Sequence, residues 1–548
     1  MGWTTALAAA LLRLPPAAHR GVRVTRDLAI TAGDGTVLLA DRYCPADQQR
    51  APVVLVRTPY GRRGPMSTLY RLLAERGYQC LVVSVRGTGG SGGRFDGLNL
   101  EAGDGAAVVE WLRGRDWFPG AFATWGLSYL GHVQWELARE SYPEWRLAMI
   151  LDAPAEYHAV SMYPGGVFTL ATSLGWVQSM YTVFPLGRSR RPWARQLPAL
   201  LLGPRRLRAA MAELPLERGD RRVAGVPVPF FQGWLANEEA GPYWRHCDHR
   251  GNLERMPPRV HLACGWQDPF LAGLLADRAE LVASGRSVRL LVGPWRHAQG
   301  VFTGVYLREV LAALDAGLAG RPLENPGPVG LHVTGAGRWR EFPAWPPPGY
   351  PAAALHLLPD GRLGPEPVAG PPSRFRYDPA DPTPSVGGPT LERGRRQRDN
   401  RALEARADVL TFTGPPLPAD LELVGPVNAR IWVRSSSPHS DLFVRVCAVD
   451  PDGGSVNLTD AIRRLGPGTP PPGPDGFREV RLELWPLAHR FRAGQRIRVQ
   501  VSGGAFPRFV RNHGTGEPIA TAVRMVAVDQ EVGHGPGYPS AVWLPMAG

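Results

Sequence analysis

Cysteine is scarce in this chain, with five residues among 548, at Cys44, Cys80, Cys247, Cys264 and Cys447. An odd number at such wide spacing excludes a disulfide framework and a C-x-x-C metal motif. No apolar run approaches the ~20 residues needed to cross a bilayer. Acidic residues are outnumbered by basic ones, 49 against 62, for a net charge of +13. The excess is arginine scattered along the chain, with short clusters at Arg188–Arg191, Arg205–Arg208 and Arg393–Arg398. It forms no basic helix and no aromatic-interleaved basic motif of the kind that tracks nucleic acid. The glycine-rich run Gly87–Gly93 lacks the G-K-[ST] ending of a phosphate loop. His246-x-x-His249 stands by itself in a loop and reads as surface, so no metal-ligand spacing is recognised. No cofactor, metal, nucleic-acid partner or membrane association is therefore expected, and whether the chain forms a homodimer is left open.

What is present is an ordinary globular composition, 44% hydrophobic and 20% charged, in a chain long enough for two or three domains. Residues 1–21 read as an N-terminal extension. Its apolar piece Trp3–Leu12 fits a secretory signal or a short amphipathic helix; with no basic residue ahead of it, a cytoplasmic chain is expected and secretion is the alternative. From Val22 to Tyr43 apolar residues alternate around Gly33-Asp34-Gly35, a hairpin pattern. Apolar strands then alternate with helical stretches: Pro52–Val56, Leu69–Arg76, Gln79–Val85, Glu101–Arg113, Ala121–Trp125 and Arg146–Asp152. That alternation predicts a mainly parallel sheet covered on both faces.

The alternation stops over residues 153–225, which read as a helical cap, and resumes with strands at Arg259–Cys264 and Ser287–Val292. Past Arg321 the texture becomes short apolar segments punctuated by Pro and Gly, which predicts a β-sandwich, specifically a jelly roll. The expected division is an α/β-hydrolase core over 22–152 and 226–325, the cap at 153–225, and an all-β domain over 326–548.

The chemistry centres on Gly126-Leu127-Ser128-Tyr129-Leu130-Gly131, between a strand and a helix. A nucleophile elbow needs small residues beside its serine, because strand and helix pass too close for side chains. Catalytic partners should sit on loops at the carboxyl ends of parallel strands. Two such loops stand out, Gly265-Trp266-Gln267-Asp268-Pro269-Phe270 and Gly293-Pro294-Trp295-Arg296-His297. The order Ser128, Asp268, His297 is that of α/β-hydrolases. Serine is a poor nucleophile at its free pKa, so His297 would take its proton and Asp268 would orient the imidazole. A lone histidine or aspartate in a loop is more often structural; three correct residue types in order at three strand ends are not. Oxyanion donors are expected from the Tyr129 amide and from the loop after Val53–Val56, where the Tyr60 hydroxyl is the candidate.

These stretches, with Thr58-Pro59-Tyr60, Arg86-Gly87-Thr88-Gly89-Gly90-Ser91-Gly92-Gly93, Tyr377-Asp378-Pro379-x-Asp381-Pro382 and Val386-Gly387-Gly388, make the chain resemble the cocaine esterase-like hydrolases. That family shares the X-prolyl dipeptidyl-peptidase fold and includes acylases and α-amino acid ester hydrolases. The resemblance implies a core, cap and jelly roll, and an oxyanion hole formed by Tyr60 and Tyr129. It also implies substrate-pocket aromatics at Trp176 and Phe270, where plain core packing is the competing reading. Two departures matter. Phe270 and Leu271 stand where the resembling α-amino acid ester hydrolases carry carboxylates, which disfavours an α-amino acyl substrate. Ser84 stands where the family usually has an acid, which puts a local contact in doubt. The expected activity is metal-free hydrolysis of a small-molecule ester through an acyl-enzyme, with an apolar or aromatic acyl group. Acylase or X-Pro dipeptidyl-type amide cleavage is the alternative. A carbohydrate-binding role for the jelly roll is the alternative of another class.

Overall fold

A computed structural model of the full chain describes residues 3–98, 101–184, 193–320, 327–391, 397–466 and 468–547. The arginine cluster Arg188–Arg191 and much of Arg393–Arg398 lie outside the described residues. The chain divides into two compact units, residues 1–157, 178–202 and 242–330 in the first, and 158–177, 203–241 and 331–548 in the second.

The first unit holds the predicted sheet. Strands β1 (Val22–Thr31) and β2 (Val37–Pro45) form the antiparallel hairpin, and β2 pairs antiparallel with β4 (Gln79–Ser84). The parallel part follows with β3 (Val53–Thr58), β5 (Phe122–Leu127), β6 (Trp145–Leu151), β7 (Arg259–Gly265) and β8 (Ser287–Gly293), in the order β1-β2-β4-β3-β5-β6-β7-β8. Every residue of β3, β4 and β5 is buried, which is why these strands read as unbroken apolar runs. The helices of this unit include α1 (Trp3–Leu11), α2 (Met66–Ala74), α3 (Glu101–Arg113) and α4 (Tyr129–Leu137). The N-terminal apolar piece is thus a short helix. It docks through the Thr5 hydroxyl on Glu75 (2.7 Å), and Arg308 donates to the Leu12 carbonyl just beyond it (2.9 Å). Among the described residues no helix is long and apolar enough to cross a membrane.

Between β6 and β7 the chain is helical, with α5 (Leu170–Gln178), α6 (Trp193–Ala212), α7 (Gly219–Ala224) and α8 (Pro229–Ala236). The sequence pattern suggests two helices around Gly203-Pro204, yet α6 runs through both residues.

The rest of the second unit is all-β. Two antiparallel sheets, one built on Leu421–Ser435 and Arg478–Phe491 and the other on Ser440–Val449, Ser455–Leu465 and Arg496–Ser502, share one apolar core. The apolar segment Ala522–Val528 reads as a strand from its sequence, yet the strand runs over Val528–Val532. Ser455–Leu465 has only a weak apolar signature because polar residues are buried along it, Asn457, Thr459 and Asp460, beside the apolar Ala461, Ile462 and Leu465. Asp460 lies between two buried guanidiniums, accepting from Arg445 (2.9 Å) and Arg508 (2.6 Å). Arg445 also donates to the Val386 carbonyl (2.6 Å), and a Cβ on Gly388 would meet Arg508 Nη1 at 2.3 Å. The Val386-Gly387-Gly388 motif exists to let the chain close over this ion cluster. Removing its anion would strand two buried cations. Asp460→Asn is expected to lower stability by about 3–5 kcal/mol, read as a shift in the urea midpoint of the full chain.

Candidate active site

Ser128 sits between β5 and α4 with φ 55° and ψ −122°, a region L-residues avoid, and it is half-buried. Its backbone is pinned from both sides. Its N–H donates to the Leu151 carbonyl (2.8 Å), and its carbonyl accepts from Gly131 (2.8 Å) and His132 (3.0 Å). The two glycines are steric requirements. A Cβ on Gly126 would lie 2.2 Å from Leu130 Cβ, and one on Gly131 would lie 2.5 Å from Ala153 Cβ. Although Ser128 occupies the N-cap of α4, its hydroxyl makes no capping bond.

Asp268 is fully buried after β7, and its Oδ2 lies 2.8 Å from Nδ1 of His297, which follows β8 and is 15% exposed. Since a carboxylate only accepts, Nδ1 carries the proton and Nε2 keeps its lone pair. The Phe270 N–H donates to Asp268 Oδ1 (2.9 Å), and the Phe270 ring stands edge-on to the imidazole at 5.3 Å. Phe270, expected as a pocket wall, therefore also fixes the acid and packs against the histidine.

Ser128 and His297 follow strands three places apart, roughly 14 Å at ~4.8 Å per strand, so the β8 loop must fold back. It does so over Gly265 and Gly293. Gln267 donates to the Trp295 carbonyl (3.2 Å), and Ala298 N–H donates to Asp152 Oδ2 (2.8 Å) at the end of β6, the strand beside β5. A Cβ on Gly265 would meet the Trp295 carbonyl at 2.1 Å, and one on Gly293 would enter the Trp295 ring at 2.4 Å. The glycines of both loop motifs make room for Trp295.

Asp152 has no role in the sequence reading, although an acid at the end of a buried strand was visible there. It is buried, adopts φ 55°, and its Oδ2 is 4.0 Å from His297 Nδ1. Burial, and next the Asp268 charge, push its carboxyl up to about 8. The imidazole thus faces two acids, and the one with a second hydrogen-bonded oxygen, Asp268, takes the short contact.

Around the elbow, the Tyr129 hydroxyl donates to Glu101 Oε1 (2.6 Å), whose Oε2 accepts from Arg57 (2.5 Å), all three residues buried. This ties the Tyr129 side chain to α3 and fixes where its amide points. Tyr60 is half-buried beyond β3, with its N–H on Thr58 Oγ1 (3.0 Å) and its ring 4.9 Å from Phe184. Trp176 belongs to the second unit, half-buried on α5 against Phe230 (4.9 Å) and Trp234 (5.6 Å). The contact put in doubt at Ser84 is intact in another form. Ser84 Oγ accepts from Arg62 (2.7 Å), whose charge is met by Asp41 (2.9 Å).

Among the described residues, two groups of side chains have donor atoms within 4.8 Å of one another, as a metal would require: Asp152, Asp268 and His297, and His132, Glu136 and His249. The first is the acid and base pair just described. The second corrects the reading of His249 as a surface residue, since it is wholly buried.

Two family models match this chain in tandem: the X-Pro dipeptidyl-peptidase (S15 family) over residues 34–299, and the X-Pro dipeptidyl-peptidase C-terminal non-catalytic domain over residues 323–542. The chain belongs to the X-Pro dipeptidyl-peptidase family. As a member it is a serine-type hydrolytic enzyme. It is similar to cocaine esterase of Rhodococcus sp. (strain MB1 Bresler), 27% identical over 95% of this chain and 98% of that protein. An aminopeptidase from a marine sediment Thaumarchaeota archaeon superposes with a TM-score of 0.80 at 21% identity, covering 97% of this chain and 98% of the other. An α-amino acid ester hydrolase does so with a TM-score of 0.80 at 22% identity and the same coverage. At those identities the two structures speak for the fold, an α/β-hydrolase core followed by an all-β unit.

Asp152 generates a prediction. Its raised pKa means that its contribution to stability is complete at low pH and is lost as pH rises from about 4 toward 8. Asp152→Asn keeps an acceptor for the Ala298 N–H and cannot ionise. The variant is expected to lose less Tm than the native chain between pH 4 and 8, and to lack an inflection near pH 8 in kcat/KM, both checked by paired pH series.

Proposed function

We propose that this enzyme cleaves carboxylic esters through an acyl-enzyme, with Ser128 as nucleophile, His297 as base then acid, and Asp268 as the residue that orients the imidazole. The observation that carries this reading is the 2.8 Å bond between buried Asp268 and His297 Nδ1, which leaves Nε2 as a proton acceptor on the same sheet edge as an unbonded, strained serine. In this reading Ser128 Oγ attacks the acyl carbonyl as its proton passes to Nε2, and Asp268 stabilises the imidazolium. Collapse of the tetrahedral intermediate expels the alcohol, which takes that proton. Water, deprotonated by the same imidazole, then releases the acid and restores the serine. The Tyr129 amide and the Tyr60 hydroxyl donate to the oxyanion.

The acyl group is apolar or aromatic in this proposal, with Phe270 as its aromatic contact. A free ammonium is disfavoured because Phe270 and Leu271 offer it no counter-charge, and a buried unpaired cation is costly. The family description favours a second reading, in which an acyl amide or X-Pro peptide is the substrate.

Ser128→Ala is expected to reduce kcat on p-nitrophenyl butyrate by at least ~10³-fold and to abolish fluorophosphonate labelling. Turnover unchanged by the substitution sinks the proposal, and a native chain that resists labelling but binds a carbohydrate array moves the function to the all-β unit. Tyr60→Phe is expected to cost about 10²–10³-fold in kcat with KM little changed. A panel of aryl esters, side-chain acyl amides and X-Pro anilides separates the two substrate classes by kcat/KM.

A further inference from the structure

The turn of helix that follows the nucleophile carries a second cluster. His132 and Glu136 are one turn apart on α4, so they share a face, and both are buried. His249 reaches the same place from the segment before β7, held by its N–H on the Ala155 carbonyl (2.9 Å). Glu136 Oε1 is 3.8 Å from Nε2 of His132 and 3.7 Å from Nε2 of His249. The other carboxylate oxygen is occupied by Arg139 (2.8 Å), which leaves Oε1 turned to the imidazoles. The Leu98 carbonyl oxygen lies 3.2 Å from His132 Nε2.

Hydrogen bonding accounts for only part of this arrangement: the Leu98 carbonyl is within hydrogen-bond distance of His132 Nε2, but among the described residues no hydrogen bond meets the His249 ring. Both ring nitrogens of His249 and Nδ1 of His132 are buried without a hydrogen-bond partner. A buried imidazole with neither nitrogen satisfied, as at His249, needs a partner such as a water or an ion. We propose that His132, Glu136 and His249 form a buried site for one divalent transition-metal ion of the Zn2+ class.

A tetrahedral Zn2+ with bonds of about 2.0–2.1 Å holds neighbouring donors about 3.4 Å apart. The observed 3.7 and 3.8 Å are a few tenths wider, within the reach of small side-chain rotations. Two imidazoles and a carboxylate suit Zn2+ and its first-row neighbours, and the Leu98 oxygen is near enough to His132 to join the same shell. Two cations lie beside the cluster, Arg139 on Glu136 (2.8 Å) and Arg57 on Glu101 (2.5 Å). The ion would tie α4 to the loops carrying Leu98 and His249, a structural clamp beneath the elbow and independent of the hydrolytic reading.

The test uses the full chain stripped with dipicolinate. The native protein is expected to take up one equivalent of Co2+ with the visible d–d bands of tetrahedral coordination, and excess Zn2+ to raise Tm by roughly 4 °C or more. Glu136→Gln and His249→Gln should each weaken Co2+ binding by ~100-fold or more. Absence of uptake, or uptake unchanged in both variants, overturns the proposal. So does uptake lost in His297→Gln and kept in His249→Gln, which assigns the ion to Asp152, Asp268 and His297. If the variants do not fold, X-ray absorption of the Zn2+-loaded native chain decides: two imidazoles in the first shell support the site, and one overturns it.

Discussion

A serine held at positive φ between a strand and a helix survives only where nothing with a side chain stands beside it, and the first unit is built around that exclusion. Gly126 and Gly131 remove the two Cβ atoms that would collide, at 2.2 and 2.5 Å, with Leu130 and Ala153. The second of these contacts reaches across to the chain leaving β6, so the elbow fixes the spacing of β5, α4 and β6 together. The same logic recurs at Gly265 and Gly293, which are bare because Trp295 must lie across them for the β8 loop to return to β6. Strand order alone would leave His297 three strands from Ser128; glycine placement shortens that separation.

Burial then decides which charges exist. Asp268 and Asp152 both face His297, but Asp268 is held by the Phe270 amide on one oxygen and the imidazole on the other, whereas Asp152 keeps one oxygen without a partner. Two adjacent buried carboxyls cannot both ionise cheaply. Burial and the neighbouring Asp268 charge therefore favour the neutral form of Asp152, and Asp268 is the acid bonded to Nδ1. Arg57, Glu101 and the Tyr129 hydroxyl apply the same rule at the elbow, where a buried ion pair with its remaining lone pair satisfied anchors the residue after Ser128.

Much of this was legible from the residues. The elbow, the two motif loops and their chain order stand out because parallel strands are apolar runs that end in punctuated loops, and the register of β5 to β8 put them on one sheet edge. Asp152 was legible as a strand end, but its meaning depends on Ala298, which only the folded loop brings to it. Hydrophobic pattern also failed at Ser455–Leu465, where Asp460 is buried between Arg445 and Arg508 and Asn457 and Thr459 are buried on a strand that also buries Ala461, Ile462 and Leu465. A binary reading of apolar and polar positions cannot see a core that is satisfied by ion pairs.

His249 failed for a related reason. In the sequence its neighbours are charged and turn-forming, and a histidine among them reads as solvated. In the fold it shares its surroundings with His132 and Glu136, whose four-residue spacing on α4 is a ligand pattern only once a third donor arrives from elsewhere. Ser128 precedes α4, Tyr129 begins it and His132 lies one turn along, so the helix that presents the hydroxyl also sets the spacing of the cluster. Any rotation of α4 that spoiled one would spoil the other. A constraint on that rotation, whether from packing or from an ion, would hold Ser128 in its strained geometry without touching its hydroxyl.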